Sequence, residues 1–176
     1  MRLTRHILVY ALIPLVFAAD RISKWWAAAY LAQHGPVRLH ALVALRASYN
    51  RGLAFGLFQG VGPLVGWLSI LIAAGLFLYL RQLPHHWWLM RTGLALIIGG
   101  ALGNMVDRVT TGQVLDFIET PLRPGIFNIA DLMINLGALL CLAGMLWQQN
   151  PVAPPALPAP RDMETAATRA ADGDRL

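Results

Sequence analysis

Apolar residues run through this chain in four long blocks, without the short alternations of a soluble domain. The first extends from Ile7 to about Leu31 and is interrupted by Asp20-Arg21-Ile22-Ser23-Lys24. The second, Leu64 to Leu80, carries no charge. The third runs from about Trp87 to Val106 with Arg91 near its start, and the fourth from Ile129 to Trp147 with Asp131 in its first turn. A spanning helix needs roughly 17–25 residues. Each block reaches that length once its nearest flanks are counted. The pattern predicts four membrane helices.

The connections carry a second pattern. Pro36-Val37-Arg38-Leu39-His40-Ala41 alternates apolar and polar residues, as a half-buried strand does. Asn50-Arg51-Gly52 reads as a turn, and Leu53–Phe58 as a second short extended or interfacial segment. Open strand edges are not tolerated in hydrocarbon, so this region belongs on the membrane surface. Pro121, Pro124 and Gly125 suit a loop returning to the fourth block. Residues 151–176, rich in Pro and Ala with mixed charges, read as a disordered tail without a catalytic role.

Composition agrees with the pattern. Of 176 residues, 57% are hydrophobic and only 13% charged, which excludes a disordered chain and argues against an ordinary soluble enzyme. The net charge of +5 could serve nucleic acid, but no basic stripe interleaved with aromatics appears, so cationic membrane flanks explain it and no nucleic-acid partner is expected. The single cysteine, Cys141, excludes an internal disulfide and a CxxC pair. Met1–Ala19 also resembles a secretory leader, yet apolar character resumes at Trp25-Trp26-Ala27-Ala28-Ala29-Tyr30. Basic residues divide evenly between the two sides, so the charge count leaves orientation open. Arg2 and Arg5 ahead of the first helix favour a cytoplasmic N terminus, and an even number of spans returns the C terminus to that side. The tryptophans fall mostly near span ends, as an aromatic belt would.

Charges near the centre of a span cost about 2.5–3.5 kcal/mol on insertion scales and need a reason. Asp20 and Lys24 are four apart and share a helix face. Asn104, Asp107 and Arg108 cluster with Gly100 and Gly103 on one side of the third span, while Gly99-x-x-x-Gly103 permits close helix approach. Asn128, Asp131 and Asn135 share a face of the fourth. Asp131 would also suit a helix N-terminus as a cap. Asp116 lies between the third and fourth spans, so it and Asp131 emerge at the same membrane face. Two close carboxylates cannot both ionise readily; one can accept a proton from water while its protonated partner polarises a peptide group. That chemistry needs no metal and no cofactor.

Other chemistries have weaker support. His34, His40, His85 and His86 lack metal-ligand spacing and read as interfacial residues. Cys141 reads as a structural thiol, and Ser23, Ser48 and Ser69 lack a G-x-S-x-G context. A small proton-coupled transporter is the alternative reading of the acids. A scaffold using the glycine face is a third, but it leaves the grouped polar residues without a purpose.

The polar blocks together resemble the bacterial lipoprotein signal peptidase (signal peptidase II) family. The resemblance rests on Asp20-Arg21-Ile22-Ser23-Lys24, Asn50-Arg51-Gly52-Leu53-Ala54-Phe55-Gly56, Gly99-Gly100-Ala101-Leu102-Gly103-Asn104-Met105-Val106-Asp107-Arg108, Val114-Leu115-Asp116-Phe117 and Phe127-Asn128-Ile129-Ala130-Asp131. It implies an all-α polytopic membrane protein, with four transmembrane helices and a small periplasmic β-cradle. Residues 1–150 would form the peptidase domain and 151–176 the cytoplasmic tail. The implied activity is that of an aspartic endopeptidase. It would cleave diacylglyceryl-modified prolipoproteins just before the lipidated cysteine. The catalytic pair carries over onto Asp116 and Asp131. Further functional positions carry over onto Asp20, Lys24, Asn50, Arg51, Asn104, Arg108, Asn128 and Ala130, and Asn135 joins them as an orienting residue by its helical spacing. The resemblance also implies the bacterial inner membrane, N and C termini in the cytoplasm and a periplasmic site. The expected partners are prolipoproteins and membrane lipids, with the chain acting as a monomer. Two features depart from the family pattern. The stretch from Asp116 to Asp131 is short, and Leu132 follows the second aspartate where a small residue is common.

Overall fold

A computed structural model of the chain describes residues 2–51 and 62–148. Helix α1 spans Arg2–His34, α2 Gly62–Gln82, α3 Trp88–Thr111 and α4 Ile129–Gln148. Among the described residues three stretches are long and apolar enough to cross a membrane: Pro63–Gln82, Trp88–Thr111 and Ile129–Trp147. The described helices follow the four apolar blocks and extend them by a few residues at most ends. Two of them end on left-handed glycines. Gly35 (φ +68°) donates its N–H to Leu31 O at 3.0 Å, and Gly112 (φ +73°) donates to Arg108 O at 3.1 Å. Each bond satisfies a carbonyl that the helix end leaves open.

The α2–α3 connection is held from inside. Arg91 is 2% exposed, and its Nη1 donates to Leu80 O at 3.1 Å and Leu83 O at 2.9 Å. Its guanidinium carbon stands 5.7 Å from the centre of the Tyr10 ring. Counted by sequence as a flanking charge, Arg91 is instead a buried cap on the last carbonyls of α2. A count of charges cannot tell the two apart.

Helix α3 is the most enclosed, because its glycines admit both neighbours. A Cβ on Gly99 would meet Val16 Cβ at 2.7 Å, and one on Gly103 would run into the Asp20 carboxylate. On the other side a Cβ on Gly100 would meet Ala130 O at 2.6 Å. The close approach expected of Gly99-x-x-x-Gly103 is therefore made towards α1. One apolar cluster joins Leu80, Leu83, Met90, Leu94, Ala95 and Ile98; a second joins Ala27, Leu31, Leu45 and Phe117. The outer faces of α2 and α4 leave Leu64, Trp67, Leu71, Leu139 and Leu142 exposed, as lipid-facing surfaces do.

Beyond the helices lies an antiparallel sheet of order β1-β2-β3-β4: β1 Val37–His40, β2 Val43–Asn50, β3 Val114–Thr120 and β4 Arg123–Phe127. The strand expected at Pro36–Ala41 is β1. Asn50, read as part of a turn, is the last residue of β2. The segment Leu53–Phe58 and the tail 151–176 lie outside the described residues. The loop expected around Pro121, Pro124 and Gly125 is the β3–β4 hairpin. Its first strand escaped the sequence reading because Val114, Leu115, Asp116 and Phe117 are all buried, which erases the alternation that marks a strand.

Gly103→Ala should lower thermal stability by about 1–3 kcal/mol, the usual range for overpacking. Gly75 meets nothing within 4 Å, so Gly75→Ala should hold or raise the melting temperature. Thermal unfolding of both variants in one detergent checks the contrast.

Candidate active site

The site is built on the N-terminus of α4. Its first turn has free N–H groups that lipid cannot satisfy. Asn128 is the N-cap, and Asp131 stands three residues on. Asn128 Oδ1 accepts the Asp131 N–H at 2.9 Å, and Asp131 Oδ2 accepts the Asn128 N–H at 3.3 Å. This is a reciprocal capping box. The Ala130 N–H goes to Asp20 Oδ1 of α1 at 3.0 Å. Asp20, Asn128 and Ala130 are all 0% exposed.

Two asparagines then link the acids. Asn128 Nδ2 donates to Asp116 Oδ1 at 2.6 Å and to Asn104 Oδ1 at 3.1 Å. Asn104 Nδ2 donates to Asp131 Oδ1 at 2.8 Å. Asp116, on β3, and Asp131, on α4, are thus tied to one another through the same two amides. Asn50, at the end of β2, adds a side-chain hydrogen bond to Asp116. Asp131 is half-buried, whereas Asp116 is 5% exposed.

Behind the amides lies a neutral cluster of charges. Lys24 Nζ faces three oxygens at 2.8 Å: Asn104 Oδ1, Asp20 Oδ2 and Asp107 Oδ2. Arg21 pairs with the other oxygen of Asp107. Two cations and two carboxylates cancel, which is what a buried cluster requires. Arg108, one turn beyond Asn104, lies within electrostatic reach of Asp131, Asp116 and Asp107. Its Nε is buried without a hydrogen-bond partner among the described residues.

Burial pushes the Asp116 carboxyl up to about 6, and the negative charge of Asp131 adds to the rise. The hydrogen bonds from Asn128 and Asn50, and the charge of Lys24, pull it back part of the way. Burial first, and the neighbouring charge second, thus favour the neutral form of Asp116.

Of the residues singled out by sequence, the structure brings together Asp20, Lys24, Asn50, Asn104, Asn128, Ala130, Asp116 and Asp131, with Arg108 beside them. Arg51 lies at the exposed rim, where its Nε donates to Gln113 Oε1 at 3.2 Å. Asn135 differs. It is exposed on α4 and makes no hydrogen bond among the described residues. The face it shares with Asn128 and Asp131 drifts away from the network within two turns. Asp107 and Arg21 were absent from the candidate site. Asp107 faces Lys24 from α3, so the signal was partial: its span groups it with Asn104 and Arg108, but both cations it pairs with lie on α1.

Comparison with known proteins is consistent along nearly the whole described chain. A family model described as Signal peptidase (SPase) II matches residues 12–147. A lipoprotein signal peptidase of Gloeobacter violaceus is 36% identical over 151 residues, covering 85% of this chain and 87% of the relative. One from Hydrogenovibrio crunogenus is 31% identical over 143 residues, covering 77% and 83%. A bacterial membrane enzyme solved by the in meso method superposes with a TM-score of 0.67 at 28% identity, over 80% of this chain and 91% of that one. A second reaches 0.73 at 24% identity, over 85% and 94%, a likeness of fold.

Two outcomes follow from the geometry. A carboxyl raised on folding adds stability that is complete below its unfolded value and is lost as pH rises through the folded one. For Asp116 that window runs from 3.8 to about 6. Asp116→Asn, which cannot ionise, should melt higher than the wild type above that window and lose the advantage below it; melting curves across pH read this directly. Lys24→Met leaves buried Asp20 without its cation and Asp107 with Arg21 alone, and should cost about 3–5 kcal/mol in a denaturation experiment.

Proposed function

The chain belongs to the signal peptidase II family, and on that footing we propose that it is an aspartic endopeptidase whose catalytic pair is Asp116 and Asp131. It is a bacterial membrane protein that cleaves the signal peptides of lipoproteins. In this reading the substrate is a diacylglyceryl-modified prolipoprotein, cut just before the lipid-modified cysteine. The observation that carries the proposal is that Asn128 bonds both carboxylates, while Asn104 bonds Asn128 and Asp131. A hydrogen-bonded pair at the end of a span can reach both water and a peptide in the interface.

Asp116 holds the shared proton, since burial beside a second acid favours its neutral form. Asp131 takes a proton from water as the oxygen attacks the carbonyl carbon that precedes the cysteine. Asp116 gives its proton to the carbonyl oxygen. The tetrahedral species then collapses: the C–N bond breaks, the cysteine nitrogen takes a proton from the pair, and the signal peptide leaves with a new carboxylate. Arg108, within electrostatic reach of both acids, orients the pair or the substrate backbone. Asp20 and Lys24 act at one remove, through Ala130 and Asn104. Asn50 supports Asp116 directly, and Arg51 stands at the rim of the site.

The same proposal counts α1 as the fourth span. Its apolar run from Ile7 to Ala19 is followed by charges that are neutralised in the protein rather than presented to lipid. It places both termini in the cytoplasm and the sheet, as a cradle, on the periplasmic side of the inner membrane. Residues 1–150 are the peptidase unit, 151–176 a tail outside the chemistry, and one chain supplies the whole site. A proton-coupled carrier would set its acids near the midplane. Asp116 on a strand and Asp131 in the first turn of α4 lie at an end instead.

Asp116→Asn and Asp131→Asn should each cut the single-turnover rate on a lipidated precursor by about 10²–10⁴-fold or more, the usual worth of a general acid or base, while the protein still folds into the membrane. Substantial turnover by both variants would exclude the pair. The wild-type rate should follow a bell in pH, with its alkaline limb set by loss of the Asp116 proton from about 6 upward. A flat profile with chemistry limiting would contradict a shared proton.

A further inference from the structure

The end of the sheet remote from the catalytic pair has features the peptidase reaction does not use. Ala44 pairs with Glu119, His40 with Val43 and Thr120 with Arg123. The β1–β2 and β3–β4 turns therefore lie side by side. Asn50 and Val114, next to the catalytic residues, pair at the opposite end.

Both turns are finished by the same device. The Leu42 N–H is donated to His40 Nδ1 at 3.4 Å, and the Leu122 N–H to Thr120 Oγ1 at 3.3 Å. In each, a side chain two residues back satisfies a backbone donor at the tip without water. In each, the tip residue is an exposed leucine, 45% for Leu42 and 79% for Leu122. An exposed apolar side chain whose own backbone N–H already has a partner is suited to enter a bilayer interface.

Between the turns lies a cleft of about 270 Å³, lined by Arg38, His40, Val43, Ala44, Glu119 and Thr120. Directly paired residues project on one face of a sheet, so Arg38, Ala44 and Glu119 form a row across three strands. Arg38 and Glu119 are two strands apart, about 10 Å at the usual spacing. Only the methyl group of Ala44 stands between them, and they form no ion pair among the described residues. The row presents a cation and an anion with a gap between. His40 Nδ1 accepts from Leu42, which leaves its other ring nitrogen as the available donor.

We propose that this cleft binds the headgroup of a membrane phospholipid that carries both a phosphate and a primary ammonium, as ethanolamine phospholipids do, while Leu42 and Leu122 enter the acyl boundary on either side. Arg38 and His40 supply donors for the phosphate, and Glu119 accepts from the ammonium. A choline headgroup has no N–H to give Glu119. A glycerol headgroup has no cation. The site thus distinguishes lipids by the ammonium rather than by net charge. It is independent of the peptidase chemistry and stands whether or not Asp116 and Asp131 are the catalytic pair.

The test is native mass spectrometry of the full chain released from micelles doped equally with phosphatidylethanolamine, phosphatidylcholine and phosphatidylglycerol. The wild type should retain the ethanolamine lipid over the other two by about tenfold, the worth of one charge-assisted hydrogen bond. Arg38→Gln should lower retention of all three. Glu119→Gln should abolish the preference alone. Ala44→Leu, which fills the gap without changing charge, should lower retention as Arg38→Gln does, and cleavage of a lipidated precursor by each variant reports that the fold is intact. Equal retention by wild type and Ala44→Leu overturns the proposal. So does a preference for phosphatidylglycerol, which would make the cleft a plain cationic patch. Displacement of the lipid by inorganic phosphate as readily as by phosphoethanolamine overturns it as well, leaving an anion site without lipid selectivity.

Discussion

Asn128 is the joint on which the site depends. Its side chain and backbone serve the α4 cap, the strand acid Asp116 and the helix acid Asp131 at once. A water-filled cleft could let such groups drift apart, each solvated on its own. A site walled by apolar helices cannot, because every donor left without a partner costs free energy of order 1–3 kcal/mol. The need to satisfy a helix end therefore draws two carboxylates together. Burial, with the charge of Asp131 adding to it, raises the Asp116 carboxyl there.

The charges behind the asparagines extend the same logic. Lys24 fixes Asn104 by occupying its oxygen, which leaves the amide nitrogen for Asp131. Asp20 is held by Lys24 and in turn holds the Ala130 N–H. Two routes thus lead from one ammonium on α1 to both sides of the Asp131 turn. Gly103 permits them, since any side chain there would occupy the place of the Asp20 carboxylate. A glycine of the helix interface and the polar site belong to one piece of packing.

The hydrophobic blocks marked all four helices, three of them long and apolar enough to cross a membrane, because a long apolar run has few other solutions. Asp20, Lys24, Asn104, Asn128 and Asp131 stood out by the same criterion, as polar groups where lipid should have excluded them. The sheet was harder to read. β1 alternates and was visible; β3 is covered on both faces over Val114–Phe117 and shows no period. Asn135 shared a helical face with Asp131, but periodicity gives direction and not reach, and its side chain is exposed. Asp107 could not be assigned from its own span, because its partners Lys24 and Arg21 lie on another helix. Arg91 misled for the opposite reason: a charge at a helix end reads as a topology marker whether it faces headgroups or closes the end of α2.

The central claim is that Asp116 and Asp131 are close enough to govern each other's protonation. Infrared titration of the protonated-carboxyl band tests it most directly, in wild type, Asp116→Asn and Asp131→Asn. The account predicts a band that fades near pH 6 in the wild type, is missing from Asp116→Asn and fades at lower pH in Asp131→Asn, where the neighbouring negative charge is gone. A band that persists in Asp116→Asn, or a midpoint that Asp131→Asn leaves unmoved, would contradict it.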